Sequence, residues 1–186
     1  ASLSATILPA NATNKLLNDE RISGIVGTNF SQNILAVIDA INEYGVPYMA
    51  CGSNDLISAA GSPWVYQPRN FDALGASILA KYAYETLGVK NPAIVFSTIP
   101  NCIGPADTIV EYYKTNYEIE IPKSIQLGYA EEETNFAPII AQVKASGADA
   151  LIHIGNQQPT ILISKAFVDA GLDIPRLANA TNASTV

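Results

Sequence analysis

The sequence is short of charge, cysteine and histidine, and each shortage excludes a class of protein. Charged residues make up 15% of the 186 residues and hydrophobic residues 48%, whereas a typical soluble domain is roughly 25% charged. A disordered chain needs the opposite bias, so this chain is expected to fold. Two cysteines exclude a disulfide-dense scaffold, and the single histidine, His153, excludes a histidine-rich zinc centre. No metal site and no cofactor are expected.

Long hydrophobic runs and basic runs are also missing. No apolar stretch approaches the roughly 20 residues that span a bilayer. The start of the chain, Ala1–Pro9, lacks the basic residues, long apolar core and cleavage site of a signal peptide. Ten Lys and Arg residues stand against seventeen Asp and Glu, giving a net charge of −7. These features argue against a nucleic-acid or anionic-membrane partner.

The hydrophobic pattern alternates between short apolar runs, typical of buried parallel strands, and longer helical periods. Strands are predicted at Ile22–Val26, Val46–Ala50, Trp64–Gln67, Pro92–Phe96, Ser124–Tyr129, Ala150–Ile154 and Arg176–Ala178. Helices are predicted at Gln32–Tyr44, Phe71–Leu87, Pro105–Tyr113, from an Asn135 cap to Ala145, and Pro159–Ala170. The helix at Phe71–Leu87 is apolar on nearly every face and is expected to be well covered. This order predicts an α/β fold with parallel sheets flanked by helices on both faces.

The loops that follow the strands are the expected binding site. Right-handed crossovers place every strand-to-helix loop at one edge of its sheet, where ligands bind near helix N-termini. Five loops qualify: Thr28–Asn33, Cys51–Asp55, Ser97–Gly104, Asn156–Gln158 and Asn179–Asn182. They are rich in Ser, Thr, Asn, Gln and Gly, and Asp55 is their one carboxylate. This lining predicts hydrogen bonds to a small polar molecule and not acid–base chemistry.

Catalytic and nucleotide-binding motifs are not found. The loops carry single glycines, which are too few for a phosphate cradle, and no Gly-x-Ser-x-Gly nucleophile motif occurs. Cys51 and His153 could form a nucleophile–base pair. However, His153 lies inside a predicted strand between apolar neighbours, which favours a packed histidine. The acidic run Glu131–Glu133 is interpreted as a solvated loop. The chain is not expected to be an enzyme.

The two cysteines and Ser31 each allow more than one interpretation. Cys51 and Cys102 both fall on predicted binding loops; two unpaired thiols are favoured over a disulfide bridge, which the sequence leaves open. Ser31 could cap the helix that begins at Gln32 or offer its hydroxyl to a ligand at that helix end. These two roles of Ser31 are compatible.

An ordered set of short motifs runs through the chain. It comprises Leu16–Asp19, Gly24–Gly27, Asn29–Ser31, Gly45–Pro47, Cys51–Asn54, Phe96–Gly104, Thr134–Phe136, Gly147–Asn156 and Ala170–Pro175. In this order and spacing the chain resembles the branched-chain amino acid (Leu/Ile/Val) binding protein family, the substrate-binding components of ABC importers. The resemblance covers nearly the whole chain and implies a two-lobed type I periplasmic binding protein fold. Family members are longer, so the chain is interpreted as an interior fragment, with residues 1–68 in the first lobe and residues 69–186 in the second. A return of the C-terminal end to the first lobe is one option.

The resemblance also implies a set of ligand-binding residues. They are Phe30, Ser31, Gly52, Ser53, Asn54, Asn101, Cys102, Asn156, Gln157 and Thr181. Ser31 matches the serine that holds the ligand carboxylate in the first lobe, and the loop from Gly52 to Asn54 matches a second first-lobe contact. Asn156 matches a second-lobe position that is often aromatic. Asn101 and Cys102 lie near another second-lobe contact, in a loop of different length.

One departure from the family bears on the ligand. Members that bind α-amino acids place a carboxylate after the strand predicted at Arg176–Ala178, where it pairs with the ligand ammonium. Here that stretch, Asn179–Asn182, has no acid. A buried ammonium without an anion costs several kcal/mol. Either an Asp or Glu comes from a segment that this fragment lacks, or the ligand is not a standard amino acid. A neutral or acidic molecule, such as an amide, a urea-like compound or a carboxylate, is favoured.

The leading hypothesis is a non-enzymatic solute receptor whose two lobes close about a hinge on one small molecule. By resemblance its other partner is an ABC permease. Its location is the periplasm or the outer face of a Gram-positive membrane, with a lipid anchor as one option. The alternative is a ligand-sensing regulatory domain of the same fold. An enzyme that uses Cys51 is the third hypothesis.

Overall fold

The computed structural model describes residues 3–19 and 21–179, with side chains described for residues 10–19 and 21–179. The chain forms two compact units, Ala1–Asp72 and Ala73–Val186. Each unit has its own parallel sheet and its own hydrophobic core. The two units are described in turn.

The first unit is built on a three-stranded parallel sheet in the order β1-β2-β3. Its elements are α1 (Leu3–Leu17), β1 (Ile25–Val26), α2 (Ser31–Leu35), α3 (Ile38–Tyr44), β2 (Tyr48–Met49), α4 (Asp55–Ala59) and β3 (Val65–Tyr66). The core beneath this sheet gathers apolar residues from every helix and from β1 and β2: Leu17, Ile25, Ile34, Val37, Ile41, Tyr48, Ala50 and Ile57. Helix α3 ends at Gly45, whose φ of 67° is the left-handed conformation that favours glycine.

Two predicted elements of this unit differ from the structure. The strand expected at Ile22–Val26 is limited to its last two residues, because the Ile22 N–H closes a turn onto the Asp19 carbonyl instead of joining the sheet. The single helix expected over Gln32–Tyr44 divides into α2 and α3. The helices divide at Val37, whose N–H donates a hydrogen bond to the Ile34 carbonyl oxygen in a tight turn. Ile34 and Ile41 nevertheless stay on one buried face.

The second unit is built on a four-stranded parallel sheet in the order β5-β4-β6-β7. Its elements are α5 (Asp72–Glu85), β4 (Pro92–Ser97), α6 (Pro100–Tyr117), β5 (Gln126–Tyr129), α7 (Ala137–Ala145), β6 (Ala150–Ile154), α8 (Gln157–Asp169) and β7 (Arg176–Ala178). The strands β6 and β7 are found at their predicted bounds. In the centre of the sheet, β4 and β6 pair over five residues, from Pro92 opposite Ala150 to Phe96 opposite Ile154.

The helices cover this sheet in two groups. From β4 the chain crosses to β5 on one side and then returns past β4 to β6 on the other. Because such crossovers are right-handed, α6 and α7 lie on opposite faces of the sheet. Tyr84 of α5 meets Tyr113 of α6 edge to face, and α7 packs against α8. The Tyr113 hydroxyl donates to the Val89 carbonyl oxygen at 3.2 Å.

Two helix predictions for this unit are wrong. Helix α6 begins at Pro100, and Pro105 lies inside it. The buried side chains Cys102, Ala106 and Ile109 form one helical face, and this face extends the helix upstream of Pro105. Helix α5, expected to be well covered, leaves the stripe Leu74, Ile78 and Tyr82 half exposed. Its buried face consists of the small residues Ala76, Ala80 and Ala83.

Candidate functional site

In the first unit, the loops after β1 and β2 meet at Ser31. This serine is 8% exposed, and its Oγ accepts a hydrogen bond from the Asn54 backbone N–H at 3.2 Å. Gly52 makes the approach close: a Cβ at this position would lie 2.8 Å from Ser31 Oγ and 2.7 Å from Ile34 Cδ1. The structure therefore brings together three of the predicted first-unit residues, Ser31, Gly52 and Asn54.

Two predicted roles in these loops need correction or refinement. Ser31 does not cap α2, because the N-cap is Phe30, which makes no side-chain cap bond. Asn54 does cap a helix, α4, since its Oδ1 accepts from the Leu56 N–H at 2.9 Å. Phe30 is 59% exposed. Ser53 contributes its carbonyl, which accepts from the Asp72 N–H at 3.0 Å.

Gln67 is a residue of this edge that the sequence analysis missed. It follows β3, and its Nε2 donates to the carbonyl oxygens of Gly52 at 3.1 Å and Asn54 at 3.3 Å. Arg69 donates to the Cys51 carbonyl at 3.3 Å. The edge rule that selected the other loops applies equally to the carboxyl end of the third strand, so the signal was present in the sequence.

In the second unit, a carboxylate lies at the same edge of the sheet. The fully buried Ser97, at the end of β4, donates its hydroxyl to Glu131 Oε2 at 2.5 Å. Asn156, which follows β6, donates its Nδ2 to Glu131 Oε1 at 2.7 Å. Glu131 therefore links the carboxyl ends of β4, β5 and β6.

This placement overturns two expectations. Glu131 was predicted to lie in a solvated loop, whereas it is half-buried and fixed by two neutral donors. Asp55 was predicted to be the only carboxylate at the binding edge. The three consecutive glutamates look alike in the sequence but differ in burial. Glu131 lies close to Tyr129 at the end of β5 and is half-buried, whereas Glu132 and Glu133 are exposed.

His153 belongs to a buried polar network beneath this edge. Its Nε2 lies 2.7 Å from the Tyr129 hydroxyl and its Nδ1 3.2 Å from Thr160 Oγ1. Because the Thr160 hydroxyl donates to the Asn156 carbonyl oxygen at 2.7 Å, its oxygen accepts from Nδ1–H, and Nε2 accepts from Tyr129. Burial, with a smaller contribution from the charge of Arg176, lowers the pKa of His153 to about 4. The histidine is therefore neutral at pH 7.

The network supports the interpretation of His153 as a packed histidine. Both ring nitrogens are engaged by Tyr129 and Thr160, which leaves neither for a cysteine nucleophile. Gly155 is required beside the ring, because a Cβ there would collide with the Tyr129 hydroxyl and would lie 2.6 Å from His153 Nε2. Burial also raises the pKa of Tyr129, so its hydroxyl stays protonated as a donor.

The remaining predicted site residues of this unit are placed differently. Asn101 and Cys102 lie in the first turn of α6 and not in a loop, and Cys102 is 1% exposed within the hydrophobic core. Gln157 begins α8 and is exposed, with Asn156 as its N-cap. Thr181 lies outside the described residues. No disulfide joins Cys51 and Cys102.

Further features of the described residues limit the chemistry. In the described ranges no group of three or more His, Cys, Asp and Glu side chains is arranged to hold a metal ion. Within the same ranges no helix has the length and apolar character needed to cross a membrane. The groups described at the two edges are hydroxyls, amides and backbone groups that can hydrogen-bond a ligand, with the Arg69 guanidinium and the exposed Asp55 carboxylate in the first unit and the Glu131 carboxylate in the second.

Comparisons with known proteins agree with this architecture. A family model described as "Periplasmic binding protein" matches residues 9–186. Comparison with curated proteins gives no match. Among solved structures, the leucine-binding protein LivK from Thermotoga maritima is 20% identical, with a TM-score of 0.83; the match covers 95% of this chain and 50% of LivK.

Two further structures were solved with bound ligands. An ABC transporter solute-binding protein from R. palustris, in complex with 4-hydroxybenzoate, is 21% identical with a TM-score of 0.84, over 95% of this chain and 48% of that one. The branched-chain amino acid binding protein LivJ from Streptococcus pneumoniae, in complex with isoleucine, is 20% identical with a TM-score of 0.79. This match covers 93% of this chain and 48% of LivJ. The chain thus spans about half the length of these structures, and the likeness confirms the predicted α/β fold.

Proposed function

This chain belongs to the periplasmic binding protein family, and from that premise we propose that it is the ligand-binding part of a solute receptor. Its fold is that of type I periplasmic binding proteins. The observation that carries the proposal is the gathering of fixed polar groups at the carboxyl edges of both sheets. Ser31 and Asn54 meet in the first unit, and Ser97, Glu131 and Asn156 meet in the second.

The proposed ligand is one small polar molecule that contacts both edges, and hinge closure stabilises the bound state. Specificity then comes from buried hydrogen-bonding groups that an ill-fitting ligand leaves without partners. Isoleucine and 4-hydroxybenzoate, bound by two structural neighbours, set the size of molecule to be tested first.

Binding without chemical conversion is the second part of the proposal. His153 is neutral, buried and engaged at both nitrogens. A general base needs a free nitrogen within reach of its substrate. The proposed partner of the ligand-bound receptor is an ABC permease. The proposed location of the receptor is the periplasm or the outer face of the membrane, with or without a lipid anchor.

A calorimetric screen on the full-length protein tests this function. The panel contains amino acids, amides, urea-like compounds, aromatic and aliphatic carboxylates, and amines of matched carbon skeleton. We expect saturable binding of at least one compound, which is recovered unchanged after incubation. Absence of binding across the panel, or conversion of a bound compound, would contradict the proposal.

A further inference from the structure

The carboxylate of Glu131 occupies the position in the second sheet where parallel α/β sheets bind ligands. The chain leaves β4 toward β5 on one side and later returns to β6 on the other, so the helices that follow β4 and β6 lie on opposite faces. This reversal opens a crevice beyond the carboxyl ends of the two strands. The two side chains that hold Glu131 lie at these ends, because Ser97 is the last residue of β4 and Asn156 follows β6.

The carboxylate is positioned but not neutralised. Among the described residues its hydrogen-bond donors are a serine hydroxyl and an amide, neither of which carries a charge. The ion pairs of the described residues, Arg21 with Asp19 and Lys81 with Glu85, do not involve it. A carboxylate has about four acceptor sites, and hydrogen bonds from the residues that the structure describes use two of those on Glu131. The group keeps acceptor capacity toward the part of its surface that is open to solvent.

The geometry points to Glu131 as a specificity-determining residue that accepts hydrogen bonds from a protonated nitrogen of the ligand. The ligand class is a small molecule with an ammonium or amidinium group. This inference rests on the proposed receptor function and names the chemistry of its second-unit contact. A ligand carboxylate at the same position would meet a like charge, which disfavours binding.

This assignment changes two earlier expectations. The sequence favoured a neutral or acidic ligand, because no acid follows β7 at Asn179. In the structure an acid follows β5 instead, on the other side of the central strand pair. Asn156, expected to contact the ligand, acts as a positioning residue, since its Nδ2 already donates to Glu131.

The test uses ligands matched in carbon skeleton and different in charge. Leucine, 4-methylpentylamine, 4-methylpentanoate and 4-methylpentanamide are titrated into the full-length protein, as are 4-hydroxybenzylamine and 4-hydroxybenzoate. We expect the nitrogen cations to bind more tightly than the matched carboxylates. Glu131→Gln is expected to weaken cation binding roughly 10- to 100-fold, the range for a hydrogen bond to a charged group. The amide is expected to lose less than the cation.

Glu132→Gln is the matched control, because it removes the same charge from an exposed neighbour in the same loop. It is expected to leave all affinities within about twofold, since exposed charges are screened. Glu131→Asp retains the charge and should retain the preference for cations. It also keeps the test decisive if Glu131→Gln fails to fold, as judged by its unfolding midpoint.

The outcomes separate this inference from the receptor function. Tight binding of carboxylates that Glu131→Gln leaves unchanged or strengthens would overturn the role of Glu131 and leave the receptor function standing. An equal loss for cation, amide and carboxylate would assign Glu131 a structural role only and would also overturn the inference. Absence of binding to the wild-type protein by every compound in this and the wider panel would overturn both.

Discussion

Gly52 shows how tightly single residues are constrained at the first-unit edge. A Cβ at this position would lie within 3 Å of Ser31 Oγ, Ile34 Cδ1 and Ile57 Cδ1. Gly52→Ala should therefore move Ser31 away from the Asn54 N–H and destabilise the protein by about 1–3 kcal/mol, the usual cost of overpacking. Urea unfolding followed by circular dichroism measures this change, and a variant as stable as the wild type would contradict the placement of Ser31.

Gly75→Ala is the control for the same substitution in open space. Gly75 lies inside α5, and a Cβ there would meet nothing within 4 Å. Alanine forms helices better than glycine by about 0.5–1 kcal/mol. The same urea experiment should therefore show a gain in stability for Gly75→Ala and a loss for Gly52→Ala.

His153 gives the protein a pH-dependent stability of predictable sign. Its pKa falls from the ordinary 6.5 to about 4 on folding, so the unfolded chain binds more protons between these values. The stabilisation is complete above about pH 6.5 and is lost progressively as the pH falls toward 4. The shift corresponds to about 3 kcal/mol.

The check compares urea unfolding at pH 7 and pH 4.5 for the wild type and His153→Asn. Carboxylates titrate in both proteins, so only the difference between the two pH dependences reports on His153. The wild type should lose more stability on acidification than the variant. Equal losses would show that His153 is not buried in its neutral form.

At the scale of elements, the sequence predicted the strands of the second unit better than those of the first. The strand β6 and the edge strand β7 have their predicted bounds: β6 is fully buried, apolar except for His153 and followed by Gly155, and β7 pairs along it. The strands of the first unit pair over only two residues each. The apolar residues on either side of these short strands belong to turns, and local hydrophobicity does not distinguish a turn residue from a strand residue. The start of α6 was missed because Pro105 imitates a first-turn proline.

Asp149 carries an element-scale prediction, because it ties the starts of β4 and β6 together. Its carboxylate accepts from the Lys90 N–H at 2.6 Å and the Asn91 N–H at 2.9 Å. Asp149→Ala leaves both donors without this acceptor and should cost about 1–3 kcal/mol. Asp107→Ala, which removes an exposed acid from α6, should stay within about 0.5 kcal/mol of the wild type. Thermal unfolding of both variants measures these changes. Equal melting temperatures for Asp149→Ala and Asp107→Ala would contradict a stabilising role of the Asp149 hydrogen bonds.

At the scale of the whole molecule, the rule that loops gather at one sheet edge predicted the candidate site better than any single motif did. It selected the loops Thr28–Asn33 and Cys51–Asp55, and within them the family resemblance implied Ser31, Gly52 and Asn54, which the structure brings together. It gave no information on which members of a charged run turn inward, so Glu131 was missed. That outcome depends on the register between β4 and β5, which sets Ser97 opposite Tyr129, and strand register is a tertiary property.

The receptor account makes one claim about the whole protein: residues from both units bind the same ligand. Isothermal titration of a ligand found in the panel screen, into the full-length wild type, Ser31→Ala and Asn156→Ala, tests it most directly. Removing the Ser31 hydroxyl, or the Asn156 side chain that positions Glu131, should weaken binding in each variant roughly 10-fold or more. Gly75→Ala should bind like the wild type. A ligand whose affinity depends on Ser31 or Asn156 alone, or on neither, would contradict the account.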